Sequence, residues 1–136
     1  MSLEHESRLL AKQNEILRFG NGVSFRTRDT ATYLGISEAE VLERMKAGTI
    51  LALDVDGATV YPMWQFDITK DALIFGLDKI LAIAPKDPWG IAGFLTKKQD
   101  ALDGRAPVDA LKSEKTAEKD LIKILQMVKE DYGIAA

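Results

Sequence analysis

An enzyme needs a nucleophile with a base, two carboxylates facing one cleft, or a metal site, and this sequence offers little of each. His5 is the sole histidine and stands near the N-terminus, where an exposed polar residue is the expected role. The absence of cysteine removes thiolate nucleophiles, thiolate metal sites and disulfides. Asp54, Asp56 and Asp67 gather three acids, but their spacing fits no EF-hand loop, and acids are ordinary residues of turns. Gly20-Asn21-Gly22 lacks the lysine and hydroxyl of a phosphate loop. No catalytic residue, metal or cofactor is therefore expected.

Recognition is the chemistry that remains. The stretch after Thr27, stopped by Gly35, and the run opened by Ser37 and carrying Val41, Leu42 and Met45 read as two short helices. Two short helices joined by a glycine-containing turn outline a helix-turn-helix. Such a unit reads DNA by offering short-reach side chains to base edges while basic groups nearby neutralise phosphates. Arg26 and Arg28 just before the first helix, Thr30 within it, and Ser37, Glu38, Arg44 and Lys46 on or beside the second are the candidate DNA contacts. Glu38, Glu40 and Glu43 place three carboxylates on the same second helix, which opposes phosphate binding.

Several elements must hold these groups. Met1 to Arg18 spaces Leu3, Leu9, Leu10, Ile16 and Leu17 as a helix with one broken apolar face, which serves as a dimer seam, packs on the chain's own core or frays in part, with Gly20-Asn21-Gly22 closing it. Thr27 is the expected cap of the first short helix, burying Ala31 and Leu34. Ser37 and Glu40 form a capping box for the second, which carries Val41, Leu42 and Met45. Ile50 to Leu53 and Ala58 to Tyr61 flank Asp56-Gly57, a strong hairpin signal. The resulting wing contains no lysine or arginine, and Pro62 ends its second strand. Met63 to Asp67 leaves with large apolar anchors. Leu73, Leu77, Ile80, Leu81 and Ala84 suit a helix closed by Pro85. Asp87 caps another, with Pro88 at its first position and Trp89, Ile91, Ala92, Phe94 and Leu95 along it. A short helix spans Val108 to Lys112. The last runs from Thr116 to Tyr132, with Leu121, Ile122, Leu125, Val128 and Tyr132 as its stripe and Gly133 beyond its end. The expected fold is mainly α: a winged helix-turn-helix with a small β-hairpin over residues 1–66, then a small helical domain over 67–136.

The 136 residues are 46% hydrophobic and 29% charged, enough to bury a core as one domain or two small ones. Eighteen basic against 21 acidic residues give a net charge of −3. Residues 1–66 hold seven basic and nine acidic side chains and residues 67–136 hold 11 and 12, so neither half is a bulk polyanion binder. Any DNA binding must use a local patch. No run approaches the roughly 18 apolar residues of a membrane span and no leader is evident, so the expected location is cytoplasmic, with no membrane partner.

The run Ala31-Thr32-Tyr33-Leu34-Gly35-Ile36-Ser37, then Val41, then Lys46-Ala47-Gly48-Thr49-Ile50 and a hairpin, resembles the winged helix-turn-helix of excisionase and MerR-type proteins over about forty residues. That resemblance implies double-stranded DNA in the major groove, with the wing near the backbone. Farther along, Asp87-Pro88-Trp89-Gly90-Ile91-Ala92-Gly93-Phe94-Leu95, then Leu102-Asp103-Gly104-Arg105-Ala106-Pro107-Val108-Asp109-Ala110-Leu111, then a helix closing at Tyr132-Gly133, is similar to the toxin-binding domain of Xre/MbcA/ParS antitoxins. Two departures stand out. Ala106 occupies a position where that family usually has a capping Ser or Thr, and Lys112-Ser113-Glu114-Lys115-Thr116 replaces a shorter turn. This second resemblance implies an antitoxin that masks a RES-type toxin by direct contact and represses its own promoter.

On that reading Arg105 stands exposed to meet a partner's carboxylate. Asp109, Lys129, Asp131, Tyr132, Gly133 and Ile134 supply the rest of a partner surface along the last helix and the tail. A homodimer is expected, because half-site readers gain affinity through two-fold symmetry. The alternatives are a stand-alone DNA-binding transcriptional regulator whose C-terminal half dimerises, and a pure adaptor.

Overall fold

A tight turn sets the geometry of the sheet. In the computed structural model, which describes residues 3–19, 24–84 and 87–131, Asp56 and Gly57 both take positive φ (51° and 83°), the pairing that a two-residue hairpin turn requires. It joins β2 (Leu53–Val55) to β3 (Ala58–Pro62), with Leu53 opposite Val60. A third strand, β1 (Ser24–Phe25), pairs with the outer edge of β3, giving the order β1-β3-β2. Pro62, opposite Ser24, is the last residue of β3 and ends the strand as expected.

Strand alternation divides the interior into two cores. Tyr61 belongs to the smaller, with Ala31 of α2 (Thr27–Leu34), Val41 of α3 (Glu38–Ala47), Ile50 and Phe66. Its neighbour Val60 belongs to the larger, with Leu53, Trp64 and Ile16 of α1 (Leu3–Leu17). The same larger core takes Leu77 and Ile80 of α4 (Leu77–Ile83), Ile91 and Leu95 of α5 (Pro88–Thr96), Val108 of α6 (Pro107–Ala110), and Leu121, Ile124 and Val128 of α7 (Ala117–Asp131). It therefore draws side chains from both sides of residue 67. The described residues are mainly helical with small antiparallel sheets.

Buried polar groups tie the segments together. Gln65 is fully buried, and its amide donates to the Leu51 carbonyl and accepts from the Leu51 N–H, both at 2.8 Å. That double bond does for Leu51 what a strand partner would do, so the strand expected from Ile50 begins only at Leu53. The Trp64 indole donates to the Ile16 carbonyl at 3.0 Å, fastening the end of α1 to the sheet.

Local departures from expectation have local causes. Leu73 does not join α4: it pairs with Phe66 in a second hairpin, β4 (Phe66–Asp67) with β5 (Ala72–Leu73). Asp67 Oδ1 folds the connection by accepting from the Thr69 N–H at 3.1 Å and its hydroxyl at 2.6 Å, and Gly76 at φ 78° delays the helix start. On α7, Ile122 is 71% exposed while Ile124 is fully buried, so the stripe is Leu121, Ile124, Leu125 and Val128. The short helix α6 starts at Pro107 after an uncapped Ala106. Asp87 caps α5 as expected, its Oδ1 accepting from the Gly90 N–H at 3.1 Å. The turn at 20–22 and the tail residues Tyr132, Gly133 and Ile134 lie outside the described residues.

Candidate nucleic-acid interface and partner face

The α2–α3 pair is built by its caps. Arg26, not Thr27, precedes α2, and the Arg26 N–H donates to Asp29 Oδ2 at 3.1 Å. Thr27 is instead the first helical residue, its hydroxyl 3.1 Å from the Tyr61 hydroxyl, which couples α2 to β3. Gly35 ends α2 at φ 69°, where a side chain would strain the backbone. Ser37 Oγ then accepts from the Glu40 N–H at 3.1 Å. Glu40 does not reach back to complete the box; its carboxylate accepts from Arg44 Nε at 3.3 Å.

Of the candidate DNA contacts, Arg26, Arg28, Ser37, Glu38 and Lys46 are exposed and Arg44 is half-buried in its pair with Glu40. Thr30 is a correction. It is fully buried and its hydroxyl donates to the Arg26 carbonyl at 3.0 Å, so it holds the first turn of α2 and reaches no partner. Along α3 the charges are sorted, Glu38 and Glu40 in the first turn and Arg44 and Lys46 in the last. That order complements the helix dipole, so the carboxylates that oppose phosphate binding also stabilise the helix.

The hairpin is braced from behind. The Trp89 indole at the start of α5 lies 3.4 Å from the Asp54 carbonyl, linking β2 to the C-terminal helices. Asp54, Asp56 and Asp67 form no shared site, and among the described residues no group of three or more His, Cys, Asp or Glu is placed to hold a metal ion.

Arg105 faces inward. Its Nε donates to the Leu102 carbonyl at 2.8 Å, one terminal nitrogen to Thr116 Oγ1 at 3.2 Å and the other to Asp120 Oδ2 at 3.0 Å. The exposed arginine expected to meet a partner is thus engaged within the fold, because the Gly104 turn swings it against the start of α7. Asp109 and Asp131 are exposed and Lys129 is half-buried.

Three polar residues escaped the sequence reading. Gln65 and Asp120 lie within apolar or charged runs with nothing in their own type to mark them as buried. Tyr33 packs in an aromatic cluster with Phe25 and Phe66, ring centres 5.7 and 5.0 Å away. Its hydroxyl finds no hydrogen-bond partner among the described residues. Burial, with added repulsion from Asp71 and then Asp67, raises this phenol above its ordinary 10.0.

No protein-family profile matches this chain, and no curated protein sequence does. The fold is similar to that of Rv2175c, solved by NMR, with a TM-score of 0.64 and 19% identity over 78% of this chain and 81% of that one. At that identity the likeness concerns the fold alone.

Proposed function

We propose that this chain is a double-stranded-DNA-binding regulator, a winged helix-turn-helix that sets α3 in the major groove and the β2–β3 hairpin beside the backbone. The observation that carries the reading is the α2–Gly35–α3 pair, followed directly by the Asp56-Gly57 hairpin and packed on the sheet through Tyr61. Arg26, Arg28 and Lys46 are its exposed cations, and base contacts come from Ser37, Glu38 and the outward face of α3. A homodimer on a two-fold site is the expected form. The test is a mobility shift, at low salt, on the DNA upstream of the chain's own gene. Binding that disappears in Arg28→Ala with Arg44→Ala supports the reading; no shift at low salt overturns it.

A second reading, an antitoxin neutralising a RES-type toxin, draws support from the segment after α5. Gly104 takes φ 79° and Pro107 opens α6, while Leu95, Leu102 and Leu111 meet in one core, the roles their counterparts need in the resembling domain. Co-expression with the neighbouring gene product tests it. A stable complex, with growth arrested only when this chain is left out, supports the antitoxin; no complex and no toxicity leaves the regulator alone. Deleting residues 131–136 should abolish protection.

A further inference from the structure

A cavity of about 370 Å³ lies between the end of α3, the run from Ile50 to Ala52, α4 and the start of α5. Its walls include Met45, Ile50, Ala52, Leu81, Pro88 and Ile91, all apolar, and its volume falls in the range of about 300–1,000 Å³ that small-molecule sites occupy. Two charged residues border it, Lys46 and Asp87. Their states differ. The Asp87 carboxylate already accepts from the Gly90 N–H at the head of α5, whereas Lys46 forms no ion pair among the described residues. Among the described residues Lys46 is the cation at its mouth and the Asp87 carboxylate is turned to the head of α5, so the lining fits a ligand with an apolar body and one negative group.

We propose that this cavity binds a small molecule with an aromatic or aliphatic body, seated against Leu81 and Ile91, and a single anionic head group held by Lys46. Met45 gives the occupant a route to the α2–α3 pair, since its sulfur lies 3.9 Å from the Tyr61 hydroxyl and that hydroxyl 3.1 Å from Thr27 at the head of α2. An effect of the ligand on DNA affinity rests on the proposed function; binding itself does not.

The experiment is a fluorescence titration of the full chain with two probes, anilinonaphthalene sulfonate and the uncharged phenylnaphthylamine. The parent should bind one of either per chain, saturably. Ala52→Trp, which fills the chamber, should weaken both at least about tenfold, and Lys46→Gln should weaken the sulfonate about fivefold while leaving the neutral probe within about twofold. Ala84→Trp fills the same space from α4 and decides the matter if Ala52→Trp fails to show a native thermal transition. Absence of saturable binding, or equal binding by a folded Trp variant, overturns the site; equal loss of both probes in Lys46→Gln overturns the anionic head group. Because no DNA is present, failure here is separate from failure of the DNA-binding reading.

Discussion

Arg105 and Asp120 meet at 3.0 Å across the junction of the Gly104 turn and α7, the carboxylate with 3% of its side chain exposed and the guanidinium with 32%. The pair is unequal in burial, and so are the consequences of breaking it. Arg105→Ala strips the buried carboxylate of its partner and leaves the Leu102 carbonyl and Thr116 hydroxyl without their donor. A loss of about 2–4 kcal/mol is expected, below the full cost of an unpaired buried charge because water reaches the arginine side. Asp120→Asn, which keeps an acceptor, should cost less. Urea unfolding of the two variants checks the order.

Tyr33 gives a prediction of opposite sign. Its hydroxyl is buried without a partner, so Tyr33→Phe removes a desolvated polar group and keeps the ring contacts with Phe25 and Phe66. A gain of about 1 kcal/mol at neutral pH is expected. The raised phenol adds a pH dependence. Its folded value lies above the unfolded 10.0, so above pH 10 the unfolded chain holds fewer protons and stability falls as pH rises. Below 10.0 the phenol is protonated in both states and adds no pH slope; stability falls as pH climbs from there toward the raised folded value. Thermal unfolding followed as pH rises through and above the ordinary phenol value of 10.0 should show a shallower decline in Tyr33→Phe than in the parent.

Gln65 substitutes for a missing strand. Gln65→Leu preserves volume but leaves the N–H and carbonyl of buried Leu51 unpaired, and a cost of about 2–4 kcal/mol follows from two unsatisfied backbone groups. Amide exchange at Leu51 is the direct readout, and it should accelerate before the β2–β3 hairpin opens.

How much of this was legible follows a physical division. Turns and caps are local, so Asp56-Gly57, Ser37 and Asp87-Pro88 announce themselves through residue type and appear where expected. Leu73 was misplaced because its helical spacing with Leu77 is real, and only pairing with distant Phe66 makes it a strand. Ile122 and Ile124 are equally apolar and only the packing partner decides which is buried. Thr30 and Arg105 mark the limit at the site: each is a surface residue by type, and each is turned inward by a bond invisible in its neighbours, to the Arg26 carbonyl and to Asp120.

Trp64 tests how α1 is held. Its indole bond to the Ile16 carbonyl and the burial of Ile16 in the larger core tie the helix end to the sheet. Trp64→Phe keeps an aromatic ring and removes the donor, so a loss of about 1–2 kcal/mol is expected. Hydrogen exchange along α1 should rise more than in α4 or α7, since the bond lies on the α1 side alone.

The charges of α3 supply the prediction that bears most directly on function. Glu40 pairs with Arg44 at 3.3 Å, the carboxylate half exposed and the arginine somewhat less, and such solvent-reached pairs contribute only about 0–1 kcal/mol to stability. If α3 lies against DNA, the carboxylate costs more in phosphate repulsion than it returns, and it also holds the Arg44 guanidinium on the helix. Glu40→Gln should therefore leave unfolding within about 0.5 kcal/mol of the parent while tightening DNA binding several-fold at low salt and steepening the salt dependence by about one charge. Ser37→Ala serves as the control, because it removes the cap to the Glu40 N–H and should cost about 1 kcal/mol of stability without that change in salt dependence. Equal affinity of Glu40→Gln and the parent would place α3 away from the phosphates and leave the helix pair as a scaffold.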